Sequence, residues 1–295
     1  MTPLERLLKP EYVLQPARLW RRALGRTRQR GADGSYELPL PWGVSLRVRQ
    51  LDEICQTIDL LGVYDLVVTE AIWRLVKPGD TVLDVGANVG YMTLAMSARL
   101  ARSGRVFSFE PHPELFEELA GNVATARERF AGVRVNARRE ALSDSAGPVG
   151  LRIPKGFGAN RGLASIGTAG DGIAVTARRL DDYADEIGPD VALMKIDVEG
   201  HEYASFRGAS SMLERGTLRN VIMEEHRTYP NEVSKLLEGY GYTIFSLERS
   251  FLGPRLGDPA HPRRSGWEAP SLLATRSAEQ ARIAFRRFGW RALGT

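Results

Sequence analysis

Three short stretches of this 295-residue chain concentrate the side chains that can do chemistry. Asp84-Val85-Gly86-Ala87-Asn88-Val89-Gly90-Tyr91 sets a carboxylate before two glycines. Lys195-Ile196-Asp197-Val198-Glu199-Gly200-His201-Glu202 packs an ammonium, three carboxylates and an imidazole into eight residues. Glu224-Glu225-His226 adds two carboxylates and a second imidazole, and Glu110-Pro111-His112 stands 20 residues after Gly90. Carboxylates of this kind accept hydrogen bonds from hydroxyls, take protons and favour cations, and an imidazole titrates near neutrality.

The local pattern around each stretch says what must position it. Thr81 to Val85 is a β-branched, apolar run after the turn signal Pro78-Gly79-Asp80, which reads as a buried strand running into a helix from Tyr91. Strand, glycine turn, helix is the geometry in which backbone N–H groups and a helix N-terminus face a bound ligand, with glycines that let the main chain approach it. The dinucleotide fingerprint is absent, because Asn88 takes the place of its middle glycine, and there is no phosphate-cradling lysine. Asp84 would repel a pyrophosphate and suits a cation; S-adenosylmethionine carries an ammonium and a sulfonium and no phosphate. An ordinary βα turn is the plain alternative. Glu110, at the next strand end, suits ribose hydroxyls, a feature shared with NAD proteins. Ala141 and Leu142, after a third strand, would flank an adenine. At the later strand ends Asp197, Glu199, Glu224 and His226 converge if their strands are neighbours, although Glu199 and Glu202 also fit simple helix capping. No metal is expected, since these ligands lack a diagnostic spacing.

From Asp80 the chain alternates strands (81–85, 105–109, 133–137, 191–197, 219–225, 242–247, 271–275) with helices (about 90–102, 113–126, 202–215, 231–239). That is an α/β, doubly wound, seven-stranded and mostly parallel sheet. A loop joins the last two strands, so the last is antiparallel. Residues 1–76 read as a cap on the same unit, with short helical pieces in 1–30, a hairpin over 34–49 and helical spacing over 52–76. An inserted hairpin at about 149–178, with strand-like pieces 149–153 and 173–177, surrounds a run with six glycines in 156–172. Glycine density predicts a mobile segment, either a lid or an idle tip. The tail 276–295 is basic and amphipathic, with Ala281, Ala284, Phe285, Phe288 and Ala292 on one helical face. It would lie on a membrane interface or pack on its own body.

Hydrophobic content of 43% and charged content of 26% are those of a globular protein. The lone Cys55 reads as core filler and makes a reducing, cytoplasmic setting the expectation, as does the lack of a signal-peptide core. Residues 1–30 and 249–295 each carry a net charge of +6 around an acidic centre. That disfavours nucleic acid and allows peripheral membrane contact through the termini; a homo-oligomer is left open.

The residues named, together with Phe109-Glu110-Pro111-His112-Pro113, Ala141 to Asp144, Leu180-Asp181, Arg207-Gly208-Ala209 and Gly239 to Tyr242, resemble the FkbM-type family of S-adenosylmethionine-dependent methyltransferases in order and spacing from about 77 to 250. The resemblance implies a Rossmann-like class I methyltransferase domain at 77–275. It also implies S-adenosyl-L-methionine as cofactor and methylation of a hydroxyl on a glycan, glycolipid or secondary metabolite. The acceptor would be a small molecule, a glycan or a lipid-linked molecule. Cofactor contacts fall to Asp84, Gly86, Asn88, Gly90, Tyr91, Glu110, Pro111, Ala141, Leu142 and Asp197. Catalytic work falls to His226 or Asp197 as base, with Glu199 and Glu224 orienting. The alternatives are an NAD-dependent oxidoreductase, and methylation of nitrogen or RNA.

Overall fold

The computed structural model describes residues 10–14, 31, 34–167, 170, 172–263 and 271–294. Of the pieces expected within 1–30, the helix Pro10–Leu14 is described and the rest lies outside the described residues. A hairpin follows, β1 (Tyr36–Pro39) against β2 (Ser45–Val48), then the helices Glu53–Leu61 and Leu66–Leu75. Each helix starts on an aspartate. Asp52 accepts from the Cys55 N–H at 2.8 Å and Asp65 from the Val68 N–H at 3.1 Å, which satisfies a donor that the first turn leaves unpaired.

The remaining strands are β3 (Thr81–Val85), β4 (Gly104–Phe109), β5 (Val133–Arg138), β6 (Ala141–Leu142), β7 (Gly147–Arg152), β8 (Ser165–Gly167), β9 (Ile173–Arg178), β10 (Leu193–Ile196), β11 (Asn220–Glu224), β12 (Thr243–Ser250), β13 (Gly253–Gly257) and β14 (Ser271–Thr275). Eight of them form the main sheet in the order β13-β12-β14-β11-β10-β3-β4-β5. β5, β4, β3, β10 and β11 run parallel, and β14 lies antiparallel between β11 and β12. The antiparallel last strand is as the sequence predicts; the count of seven is corrected to eight. β13 was hidden in what reads as a loop because Gly253, Pro254 and Gly257 have weak strand propensity. It is an edge strand paired only to β12, where a proline breaks no second ladder.

Alternation along the strands sorts side chains to two faces. Val82, Val106, Leu193, Ile222 and Leu273 join one apolar cluster with the hairpin, the helices Leu66–Leu75 and Tyr91–Leu100 and the C-terminal tail. Leu83, Phe107, Met194, Val221 and Met223 join the other, under Phe206, Leu213 and Leu237. The single helix expected over 202–215 is two, Glu202–Arg207 and Ser210–Glu214. They part at Gly208, where a Cβ would stand 1.9 Å from the Ser143 carbonyl oxygen. Asp181 then accepts from the N–H groups of Ser211 and Met212 at the second helix's start.

The tail is also corrected. Its helix is Ala278–Phe285, and beyond it the chain turns. Ala281, Phe285 and Ala292 are buried as the periodicity predicts, while Phe288 is 77% exposed. The apolar face therefore packs on the protein's own body. A buried ion pair on the helix Leu66–Leu75 holds it: the Arg74 Nε lies 2.9 Å from Glu70 Oε1, with both side chains almost fully enclosed. Arg74 donates to the carbonyls of Ala284, Arg287 and Gly289, and Glu70 accepts from the Ala292 N–H at 2.8 Å. Removing one member leaves the other charge uncompensated. Arg74→Ala is expected to lower the unfolding free energy by about 3–5 kcal/mol, read by denaturant titration; a change under about 1 kcal/mol would deny the pair that role.

Candidate active site

A cleft opens at the carboxyl ends of the parallel strands, the end at which open α/β sheets hold ligands. Its lining includes Gly86, Asn88, Tyr91, Glu110, Pro111, Ala141, Leu142, Lys195, Asp197, Glu199 and Glu224. Of the thirteen positions given a role from sequence, ten are among these; Asp84, Gly90 and His226 are not, and Lys195 is an addition. The turn after β3 is built on close backbone approach. The N–H groups of Gly86 and Ala87 both donate to the Phe109 carbonyl at 3.0 Å. Gly86 has φ of 75°, and a Cβ there would stand 1.9 Å from the Asp197 carbonyl oxygen. Gly90, with φ of 96°, meets Leu119 of the helix Pro113–Ala126. So these glycines are required by neighbouring protein segments. Asn88 holds φ of 50°, a left-handed conformation that asparagine tolerates, which is why no third glycine is needed.

Asp84 is placed elsewhere than expected. Strand alternation turns it under the helix Tyr91–Leu100, where it is fully buried and accepts from Thr93 Oγ1 at 2.6 Å. It does not line the cleft; its Oδ1 has no partner, and burial pushes its carboxyl up. Glu110 does face the cleft. The N–H groups of Asn88 and His112 each donate to its carboxylate at 2.8 Å, and burial pushes its pKa up to about 7 against those two bonds. His112 is buried against Phe157, ring centroids 4.9 Å apart. Tyr91 lends its ring to the wall, while its hydroxyl accepts from the Tyr64 N–H at 3.0 Å.

The acidic end is organised by Lys195, which the sequence reading quoted without assigning a role. Its Nζ donates to the Gly86 carbonyl and to Asp197 Oδ2, each at 3.3 Å. Burial works against the ammonium, but Asp197 and Asp84 outweigh it and hold its pKa above the usual lysine value. Such a charge inside a strand of buried residues was the available signal. Glu199 has φ of 51°, and burial, then Asp197 and Glu224, push its carboxyl up to about 7. Burial and Asp197 also raise Glu224. His226 lies outside the cleft lining, 69% exposed, its Nε2 2.7 Å from Glu224 Oε1 in an adjoining depression that Asp197, Glu199 and Glu224 share. Glu202 instead accepts from the N–H groups of Val198 and Gly200, a structural cap.

The inserted segment forms one wall. The expected hairpin is part of a second sheet, β6-β9-β7-β8, in which β7 and β9 pair antiparallel. Leu151, Asn160, Arg161, Gly162, Ala164 and Ile166 reach the cleft. The glycine-rich run predicted to be mobile is anchored by Arg161, whose Nε lies 3.1 Å from Asp52 Oδ2 and whose Nη1 lies 2.5 Å from Glu118 Oε1, all three side chains buried. Its partners are 109 and 43 residues away, so no local pattern reveals it. Ile54, Tyr64 and Glu140 also line the cleft, and the sequence reading gave none of them a role.

Five carboxylates thus line the cleft with two cations, each already engaged by a carboxylate. Among the described residues no uncommitted cation awaits a pyrophosphate, and a cationic, phosphate-free ligand fits. A family profile described as "Methyltransferase FkbM domain" matches residues 84–244, more than half of the chain. The chain belongs to the FkbM-domain methyltransferases. It is an S-adenosylmethionine-dependent methyltransferase, and the NAD-dependent alternative falls. This FkbM-domain chain is 31% identical over 194 residues to the hexuronic acid methyltransferase AglP of Haloferax volcanii, covering 64% of this chain and 74% of that one. It is 32% identical over 224 residues to the 31-O-demethyl-FK506 methyltransferase FkbM of Streptomyces tacrolimicus, covering 64% and 83%. A crystal structure of an FkbM methyltransferase from Methylobacillus flagellatus is 16% identical with a TM-score of 0.42, over 77% of this chain and 56% of that one. No helix among the described residues is long and apolar enough to cross a membrane.

Replacing Arg161 leaves two buried carboxylates without their cation. Arg161→Ala is expected to cost about 3–5 kcal/mol of stability. Under limited proteolysis at native conditions it should also open a cleavage site between Pro154 and Ala164; a wild-type digestion pattern would show that the loop is held by other contacts.

Proposed function

We propose that this enzyme transfers the methyl group to a hydroxyl of a small polyhydroxylated acceptor, with Glu199 as the proton acceptor. The observation that carries the reading is the convergence of Asp197, Glu199 and Glu224 on one rim of the cleft, from the ends of the adjacent strands β10 and β11. Hydroxyl-rich acceptors are bound by carboxylates, which accept from each O–H. The relatives support the class: one is named for a hexuronic acid, the other for 31-O-demethyl-FK506.

S-adenosylmethionine, when bound, supplies an electrophilic methyl group on a sulfonium. Glu110, held by two backbone N–H groups, would accept from the ribose hydroxyls. Pro111, Ala141 and Leu142 would flank the base, and Asp197, with the turn through Gly86 and Asn88, would receive the cationic amino-acid end. Lys195 fixes the Asp197 carboxylate for that task. Glu224, tied to His226, orients the acceptor, and Glu199 takes the hydroxyl proton at its carboxylate. Asn160 and Arg161 wall the site from water, so that positioning and exclusion of solvent contribute to the rate. The role that the sequence offered to His226 passes to Glu199 because His226 is exposed and outside the lining.

A base with a pKa of about 7 is protonated below that pH, so kcat/KM should fall as pH drops through about 7. Glu199→Gln is expected to lower kcat by about 10²–10³-fold with cofactor affinity unchanged, as read by calorimetry, and to erase the acidic limb of the profile. His226→Ala should stay within about tenfold of wild type. A loss in His226→Ala equal to that in Glu199→Gln would return the base role to the imidazole.

Glu110 gives an independent readout. Its carboxylate is the hydrogen-bond acceptor, so cofactor affinity should weaken as pH falls below about 7. Glu110→Gln should cost binding about 1.5–3 kcal/mol. Unchanged affinity across that range would detach Glu110 from the cofactor.

A further inference from the structure

Residues 249–295 carry a net charge of +6, and their described part gathers on one face. Glu11 of the helix Pro10–Leu14 pairs with Arg249 near the end of β12, both side chains buried. The turn between β12 and β13 and the tail after the helix Ala278–Phe285 are locked side by side: the Gly289 N–H donates to the Leu252 carbonyl at 2.7 Å, and Trp290 Nε1 to the Phe251 carbonyl at 3.2 Å. Backbones joined this way bring three large apolar side chains together at the surface. Phe251 is 56% exposed, Leu252 52% and Phe288 77%. Arg286 and Arg287, exposed and directly before Phe288, have no carboxylate partner among the described residues.

We propose that this patch docks the enzyme on an anionic lipid surface. Apolar side chains on a turn, flanked by the two exposed arginines, insert at the headgroup boundary while the cations meet lipid phosphates and carboxylates. A protein partner would need a complementary acidic surface around an apolar contact; a bilayer containing acidic lipids offers both at any orientation about its normal. The turn lies against the last turn of the helix Leu66–Leu75, where Arg74 donates to the Gly289 carbonyl at 2.8 Å. Of the stripe expected along the tail, Ala281, Phe285 and Ala292 are buried in the protein, and Phe288 alone reaches this face.

The test is co-sedimentation of the full chain with phosphatidylcholine vesicles, with and without phosphatidylglycerol, at about 0.15 M salt, where only close charge pairs survive screening. Wild type is expected to partition onto the anionic vesicles more than about tenfold better than onto the neutral ones. The triple variant F251S/L252S/F288S and the double variant R286E/R287E should each lose about tenfold or more of that binding. Both should retain the wild-type melting temperature and cofactor affinity, which separates loss of docking from loss of fold. Equal or absent binding to the two vesicle types, or unchanged binding by the triple variant, overturns the proposal. So does a dimer in gel filtration that the triple variant dissolves, since a second copy would then occupy the patch.

Discussion

A single guanidinium ties together parts of the chain that otherwise have no reason to stay in register. Arg161 stands between Asp52, which also caps the helix Glu53–Leu61, and Glu118 of the helix Pro113–Ala126. Both carboxylates are buried, so each needs the cation that the inserted segment brings. The same loop carries Phe157 onto His112, and the Glu53 N–H donates to its Ala159 carbonyl. The wall of the cleft is therefore held by charge burial in a stretch whose glycines leave it little apolar surface with which to hold itself.

Behind that wall the cleft crowds carboxylates together and buries them in part. Desolvation leads the rise of the Glu110 and Glu199 carboxyls to about 7, and close carboxylates add to it at Glu199. Lys195 prevents the collapse of this arrangement by engaging Asp197 and the Gly86 carbonyl at once. That double contact also couples the glycine turn after β3 to the acidic strand end of β10, its parallel neighbour, in which Lys195 sits opposite Asp84. An excess of carboxylate suits a cationic cofactor and a hydroxyl-bearing acceptor for the same electrostatic reason.

The N-terminal hairpin and helices are continuous with the core. Trp42, Trp73 and Tyr91 pack in one aromatic chain, at 5.0 Å and 5.4 Å between successive partners of Trp42. Trp42 Nε1 donates to the Ala292 carbonyl across 250 residues. With Glu70 and Arg74 capping the tail's backbone groups, the N-terminal hairpin and the C-terminal tail close over one face of the sheet.

The sequence by itself determined the alternation of strands and helices, the antiparallel last strand, the glycine turn at Gly86 to Gly90 and the carboxylates at Glu110, Asp197, Glu199 and Glu224. Each of those is written in local periodicity or in a residue's place at a strand end. Only the tertiary structure decided which of them line the cleft. Asp84 reads as a ligand group until strand alternation and Thr93 claim it for the interior. His226, expected as a base, is exposed and stands in a depression beside the cleft. Arg161 and Lys195 were invisible as functional residues, because the partners that give a charge its role lie far away in the chain or on the next strand. β13 was invisible because pairing with β12, and no propensity of its own, makes it a strand.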